Sequence, residues 1–80
     1  MTAESRASGA KQLLENPLLV EVLDAIEAQA INVWRTTSIV QVQEREIAWQ
    51  SLKAAERVRT ALQGVVDNGL IESRRAVQAR

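Results

Sequence analysis

The sequence contains no cysteine and no histidine, and these two absences remove several kinds of chemistry. Without cysteine the chain forms no disulfide and offers no thiolate to a zinc ion; without histidine it has no imidazole for a metal or for proton transfer. Surface-type carboxylates such as Glu44 and Glu46 are the only acid–base candidates, and we expect them to lie outside any apolar hollow that would shift their pKa. We therefore expect a protein that is not an enzyme and that takes no cofactor, metal or small-molecule substrate.

Phenylalanine and tyrosine are also absent, and proline occurs once. The residues that dominate instead are alanine, leucine, glutamine, glutamate and arginine, a composition typical of helices. Gly9, Gly64 and Gly69 are isolated and form no phosphate-binding loop. The alternation in "SIVQVQ" is compatible with a strand, but this strand would have no partner strand. The composition predicts an all-α fold.

An excess of charge of one sign is also lacking, since ten Lys plus Arg balance ten Asp plus Glu. No net field attracts the whole chain to nucleic acid or to an anionic membrane. The longest apolar segment is interrupted by Glu21, Asp24 and Glu27 well short of the ~20 residues of a membrane-spanning helix, and the N-terminus is polar. Together with the absence of cysteine, these features lead us to expect a soluble cytoplasmic protein with no membrane contact.

Asn16-Pro17 is the clearest local signal. Asparagine is a favoured N-cap, and proline is tolerated at the first helical position, where its missing N–H would have no partner. The dipeptide predicts a short helix over 10–15 and a longer one over 17–35. The small polar residues 1–9 are expected to form a flexible, frayed tail or to wind into the short helix.

The next helix is expected to begin near Ile39, because Ser38 and Gln41 have the spacing of a capping box after the helix-stopping "RTTS" turn. It continues to Asp67, where Asn68-Gly69 predicts a left-handed stop. Residues 70–80 are a basic tail that forms a last helix or stays mobile. We expect residues 10–69 to form a long antiparallel helical hairpin, with the short N-terminal helix folded onto the overhang of the longer one.

The 17–35 helix carries more apolar surface than one neighbour can cover. One stripe is expected to pack on the long helix: Leu19, Leu23, Ile26, Ala30 and Val33. The facing stripe of the long helix is Ala48, Leu52, Ala55, Val58, Leu62 and Val65. Apolar residues outside these stripes remain uncovered, and so small a chain buries only roughly 60% of its unfolded surface. We expect two copies to meet in a twofold four-helix bundle, unless residues 1–15 or 70–80 cover the surplus.

The predicted dimer interface contains the surplus apolar residues and the two tryptophans. Trp34 and Trp49 flank the turn and are expected at the same end of the hairpin, either as a shared apolar plug or as an interface hot spot. The full predicted interface is Leu18, Val20, Val22, Ile31, Trp34 and Trp49.

Basic residues are concentrated in the second half of the chain, and the three ionised residues of the 17–34 segment are all acidic. Complementary charge along a helix pair explains this distribution, and so does contact with nucleic acid. No DNA-reading motif accompanies the basic residues. The residues that would make a nucleic-acid contact are Lys53, Arg57, Arg59, Arg74 and Arg75.

Two segments carry a family resemblance: "LLENPLLVEVLDAIEAQAINVW" and, after a Thr/Ser turn, "EREIAWQSLKAAERVRTAL". Together they resemble small all-helical accessory proteins of tailed bacteriophages and prophages, often encoded among head and DNA-packaging genes. The resemblance covers about residues 11–66, and its marks are Leu13, Leu14, Asn16, Pro17, Trp34, Arg45, Glu46, Trp49, Leu52 and Arg57.

This resemblance implies a non-enzymatic viral protein that acts through protein–protein contacts in particle assembly or DNA packaging. The expected partners are a second copy of the chain and other phage structural or packaging proteins. The expected location is the host bacterial cytoplasm or the virion. The alternative function is that of a DNA-binding accessory or regulatory factor that uses the basic second half.

Overall fold

The computed structural model describes residues 2–78, which contain three α-helices and no strand. Helix α1 is Ala3–Glu15, α2 is Pro17–Thr36 and α3 is Val42–Gln78. The all-α prediction is confirmed. Of the predicted tails, residues 3–9 belong to α1 and residues 70–78 to α3, while Met1 and residues 79–80 lie outside the described residues.

The break between α1 and α2 lies where the sequence predicts it. The Asn16 side chain accepts hydrogen bonds from the backbone N–H groups of Leu18, at 2.9 Å, and Leu19, at 3.1 Å, and Pro17 occupies the first helical position. Asn16 therefore satisfies two N–H groups that have no partner inside α2. Thr2 caps α1 in the same manner, accepting from the N–H of Ser5.

The predicted start of the third helix at Ile39 is wrong, because residues 38–41 form a separate turn. The Gln41 side chain accepts a hydrogen bond from the Ser38 N–H, as the capping-box spacing suggested. However, the Gln41 N–H also donates to the Ser38 carbonyl, which closes a tight turn. The first helical N–H donor is that of Arg45, bonded to the Gln41 carbonyl, so α3 begins at Val42.

The predicted helix end at Asp67 is also wrong, since α3 continues through Asn68 and Gly69 to Gln78. No glycine among the described residues has a positive φ, so Gly69 is not a left-handed cap. It is buried, and a Cβ built on it would overlap the Cβ of Ala7. Gly69 therefore lets α1 approach α3 closely instead of ending the helix.

Helices α1 and α2 lie end to end along α3, and both run antiparallel to it. Arg45 near the start of α3 contacts Trp34 near the end of α2, while Gly69 far along α3 lies against Ala7 of α1. The described residues consequently form a rod of 61 × 22 × 17 Å, only two helices thick. Helix α1 covers the part of α3 that extends beyond α2.

Along α3 the residues that face the other helices recur at alternating intervals of three and four. This seam consists of Arg45, Ala48, Leu52, Ala55, Arg59, Leu62, Val66, Gly69 and Ser73, all buried or half-buried. A seam with this 3.5-residue period is that of a left-handed coiled coil. The sequence-based stripe placed Val58 in contact with α2, but Val58 lies beside the seam and is exposed, and so is Ile26 of α2.

The buried core is made mainly of small side chains. Its buried apolar residues are Ala10, Leu23, Ala30, Ala48 and Ala55. Alanine at the seam allows the helix axes to approach closely, but each alanine removes little apolar surface from water. Because the large apolar side chains are mostly outside this core, the rod keeps extensive apolar surface on its exterior.

Candidate interaction surfaces

One side of the rod, which we call the apolar face, collects large exposed apolar side chains from all three helices. Ile26 and Val33 of α2 line one hollow together with Ile47 of α3, and Leu13 of α1 lines a second with Leu18 and Val22. Val58 follows Ile47 by eleven residues, or three helical turns, and so lies on the same side. The exposed residues that define the apolar face are Leu13, Leu18, Val22, Ile26, Ile47 and Val58.

Exposure on the apolar face is large for such side chains. Leu18 is 67% exposed and Val22 46%. Leu19, Val33 and Val65, which border these residues, are half-buried. An apolar surface of this extent, contributed by three helices of one rod, is typical of an interaction site.

Ionised side chains lie only at the two ends of the apolar face, within the described residues. Glu44 shares a hollow with Ile26 and Ile47 near the α2–α3 turn, and Arg6 shares one with Val65 at the opposite end. Between them the side chains are apolar or uncharged, such as Gln29 and Ser51. The face thus has an apolar centre, with Glu44 at one end and Arg6 at the other.

The opposite side of the rod carries ion pairs between α2 and α3. Arg59 Nη2 lies 2.7 Å from Asp24 Oδ1, and Arg59 Nε lies 3.0 Å from Glu27 Oε1. The hydrogen bond to Glu27 is the main reason that the pKa of Arg59 is raised, and Asp24 adds to it against partial desolvation. Since arginine is charged at every accessible pH, this shift causes no titration near neutrality. The complementary-charge interpretation of the sequence therefore holds at this position.

The turn end of the rod is a second apolar region. Trp34 and Trp49 line one open hollow with Ile39 and Val42, and both indole rings are about half exposed. The two rings lie at the same end, as the sequence predicts, but the hollow between them is open, so they do not form a closed plug. Ile39 and Val40 in the turn are 85% and 81% exposed.

Arg45 of α3 binds the end of α2 here. Its Nη1 donates to the carbonyl oxygens of Trp34, at 2.8 Å, and Thr37, at 3.1 Å, and its guanidinium stacks 3.8 Å from the centroid of the Trp34 ring. Carbonyl groups in the last turn of a helix have no partner within the helix, and a cation there also interacts favourably with the helix dipole. Arg45 is thus a cap for α2 contributed by α3.

The predicted dimer interface is divided between the two sides of the rod. Leu18 and Val22 belong to the apolar face. Ile31 follows Glu27 by four residues and so lies on the ion-pair side. Val20, four residues before Asp24, borders that side too, and Trp34 and Trp49 are at the turn end. Ile26, Ile47 and Val58 also belong to the apolar face but were not part of the predicted interface, because their exposure on this side depends on how α3 is rotated against α2.

The predicted nucleic-acid residues do not form one free basic surface. Arg59 is held by two carboxylates, and Lys53 lies 3.1 Å from Glu56 and stacks 4.5 Å from the Trp49 centroid. Arg75 lies 3.5 Å from Glu72. Arg57 and Arg74 are exposed and have no ion-pair partner among the described residues. Three of these five side chains, Lys53, Arg59 and Arg75, therefore already lie beside a carboxylate of the same chain.

The described residues contain no group of acidic side chains arranged to hold a metal ion. Nor does any of their helices combine the length and apolarity needed to cross a membrane. Compared with protein-family models, with curated proteins and with solved structures, the chain matches none of them. The surfaces of the rod are therefore the features that indicate a function.

Proposed function

We propose that this is a non-enzymatic protein that acts through protein–protein contacts, and that its first partner is a second copy of itself, bound through the apolar face. The observation that carries the proposal is the cluster of exposed apolar side chains on one side of a rod with a core of small residues. The predicted helical hairpin is the unit that associates, and two hairpins give a twofold four-helix bundle.

The energetics favour association. Burying a half-exposed leucine, isoleucine or valine contributes about 1 kcal/mol, so the six residues of the apolar face contribute several kcal/mol per copy. This is comparable to the whole free energy of unfolding of a small domain, about 5 kcal/mol at the lower end. Since Ala30, Ala48 and Ala55 at the seam bury little surface, the rod depends on the dimer for much of its stability.

Sedimentation equilibrium tests the dimer directly. The wild-type chain at micromolar concentration should have twice the 8.9 kDa mass of one chain. Val22→Glu puts a charge in the centre of the apolar face and should yield monomers. Ile31→Glu is the matched control, because Ile31 is similarly exposed, at 41%, but lies on the ion-pair side. A monomeric wild type, or dissociation by Ile31→Glu and not by Val22→Glu, would contradict the proposal.

We further propose that this dimer serves particle assembly or DNA packaging of a tailed phage or prophage, in the host bacterial cytoplasm or the virion. The support is the resemblance over residues 11–66, together with a surface suited to protein contact. Deleting the coding sequence from a lysogenic host should lower the yield of DNA-filled particles, and wild-type protein supplied in trans should restore it. An unchanged yield would contradict the phage role and leave the dimer unaffected.

Binding of nucleic acid is the weaker alternative, because Arg59 and Lys53 already interact with carboxylates. Arg57 and Arg74 alone offer too few phosphate contacts for strong binding. We expect no retardation of DNA in a gel at physiological salt. Tight binding that weakens steeply with salt, and that Arg57→Gln with Arg74→Gln abolishes, would favour the DNA-binding alternative instead.

A further inference from the structure

We propose that the second copy binds in one orientation, antiparallel to the first, with the twofold axis passing near Val22 and Val58, so that Glu44 of each copy lies beside the partner's Arg6. This inference rests on the proposed function, since it requires the apolar face to bind another copy. The new element is the direction in which the partner rod runs, which the charges of Glu44 and Arg6 select.

The apolar face has its midpoint near Val22 and Val58. Ile26 lies at the level of Ser51 on α3, so Val22, one turn earlier in the antiparallel α2, lies at the level of Ala55. Ile47 lies about 16 Å from Val58 in one direction along α3, and Val65 about 10 Å in the other. A twofold axis at this midpoint therefore places apolar side chains opposite apolar side chains.

Glu44 and Arg6 lie at positions that the same twofold axis brings together. Glu44 lies about 21 Å from Val58 on the turn side, and Asn68, which shares a hollow with Arg6, lies about 15 Å from Val58 on the other side. The midpoint of these two positions lies about 3 Å from Val58, close to the level of Val22, so rotation about an axis there brings Glu44 close to the partner's Arg6 twice per dimer. Glu72, at the Arg6 end, is already paired with Arg75 in its own chain.

The opposite orientation is electrostatically unfavourable. If the axis ran along the rod, the two copies would be parallel, and Glu44 would face the partner's Glu44 while Arg6 faced the partner's Arg6. Like charges at both ends of an interface raise its free energy and select against that arrangement. The apolar centre supplies affinity in both orientations, so the end charges decide between them.

The area is sufficient for a dimer. The segment from Glu44 to Val65 is about 32 Å long, and the rod is 22 Å across its wider side. The product is roughly 700 Å² per copy, close to the ~800 Å² that each partner of a standard protein interface buries. No additional protein is needed to cover the apolar face.

Spin-label distances distinguish the two orientations. The chain has no cysteine, so Ser38→Cys introduces a single labelling site in the turn, outside the apolar face. In the antiparallel dimer the two labels should be about 50 Å apart, and in a parallel dimer within about 25 Å. A short distance would overturn the orientation while leaving the dimer intact. A monomer in sedimentation would instead overturn the proposed function itself.

Charge exchange tests the selecting residues. Glu44→Arg alone and Arg6→Glu alone should each raise the dissociation constant of the dimer about tenfold, since two attractive contacts become repulsive. The double variant should return it to within about threefold of the wild-type value. If the dissociation constant of the double variant is raised by the product of the two factors measured for the single variants, Glu44 and Arg6 do not meet, and the orientation is wrong.

Discussion

Single side chains decide how closely the helices of this rod approach. Gly69 and Gly64 are both inside α3, yet a Cβ on Gly69 would overlap Ala7, while a Cβ on Gly64 would meet nothing within 4 Å. Glycine in a helix interior costs about 0.5–1 kcal/mol relative to alanine. The same substitution is therefore expected to have opposite effects at the two positions.

We predict that Gly64→Ala stabilises the protein by about 0.5–1 kcal/mol, because alanine restricts the unfolded chain and meets no obstacle. Gly69→Ala should destabilise it by about 1–2 kcal/mol, because overpacking against Ala7 outweighs the gain in helix propensity. Thermal unfolding followed by circular dichroism measures both. Adding Ala7→Gly should recover part of the Gly69→Ala loss, and a stabilising Gly69→Ala would show that α1 does not pack there.

Arg45 offers a second prediction on one side chain. Arg45→Lys keeps the charge but removes the planar fork that reaches Trp34 and Thr37, so it should cost about 1–2 kcal/mol. In a Trp49→Phe background, the emission of Trp34 should change with Arg45→Lys, because the stacked guanidinium is removed. Arg57→Lys is the control, since Arg57 is exposed on α3 with no ion-pair partner among the described residues. Equal effects of the two substitutions would contradict the capping role.

The break at Asn16 and Pro17 changes which positions of the α1–α2 segment face α3. Ala3, Ala7, Ala10 and Leu14 face α3 at intervals of four, three and four. Continued in one uninterrupted helix, this spacing would direct Pro17, Glu21 and Asp24 toward α3. The break instead restarts the helix so that Leu23 and Ala30 are buried.

We therefore predict that Asn16→Ala with Pro17→Ala costs more than the ~1 kcal/mol of a lost N-cap. Without the break, a continuous helix cannot bury Leu14 and Leu23 on α3 at once. The helical signal in circular dichroism should stay constant or rise while the unfolding temperature falls. Asn16→Asp, which keeps a capping oxygen, should have little effect; a double variant no worse than a simple cap loss would contradict the phase argument.

Local signals in the sequence were sufficient for the break at Asn16 and for the end of α2, because each depends on neighbouring residues. They were insufficient for α3. Asn68-Gly69 is a helix stop in isolation, but packing of α1 against Gly69 favours the continued helix. The seam was misplaced because several of its positions, among them Arg45, Arg59 and Ser73, are not apolar. The seven-residue spacing of Ala48, Ala55, Leu62 and Gly69 was the available signal.

The candidate interaction surface could be predicted only in part for the same reason. The excess of apolar residues in α2 is a property of composition, and Leu18 and Val22 follow from it. Which other residues join them depends on the rotation of α3, which is set by Arg59 bridging Asp24 and Glu27 and by the small residues at the seam. Ile47 and Val58 therefore became visible only once the helices were paired.

For the whole molecule, association should make stability depend on concentration. A ligand that binds only the folded state stabilises it by mass action, and in the proposed dimer this ligand is a second copy. We predict that the unfolding temperature rises by several degrees between about 5 and 500 µM chain. Val22→Glu should abolish this dependence and Ile31→Glu should retain it. A concentration-independent transition in the wild type would contradict association through the apolar face.

The shape of the proposed dimer can be measured, because two rods could associate side by side or through their turn ends. One copy has a Cα radius of gyration of 17.6 Å, whereas a compact domain of this length has about 12 Å. Two rods with their apolar faces in contact, about 10 Å apart, should have a radius of gyration of only about 18–20 Å. Two rods joined through the hollows at Trp34 and Trp49 would double in length and give about 35 Å. Small-angle X-ray scattering at a concentration where sedimentation finds the dimer separates these values, and the larger one would assign the interface to the tryptophans.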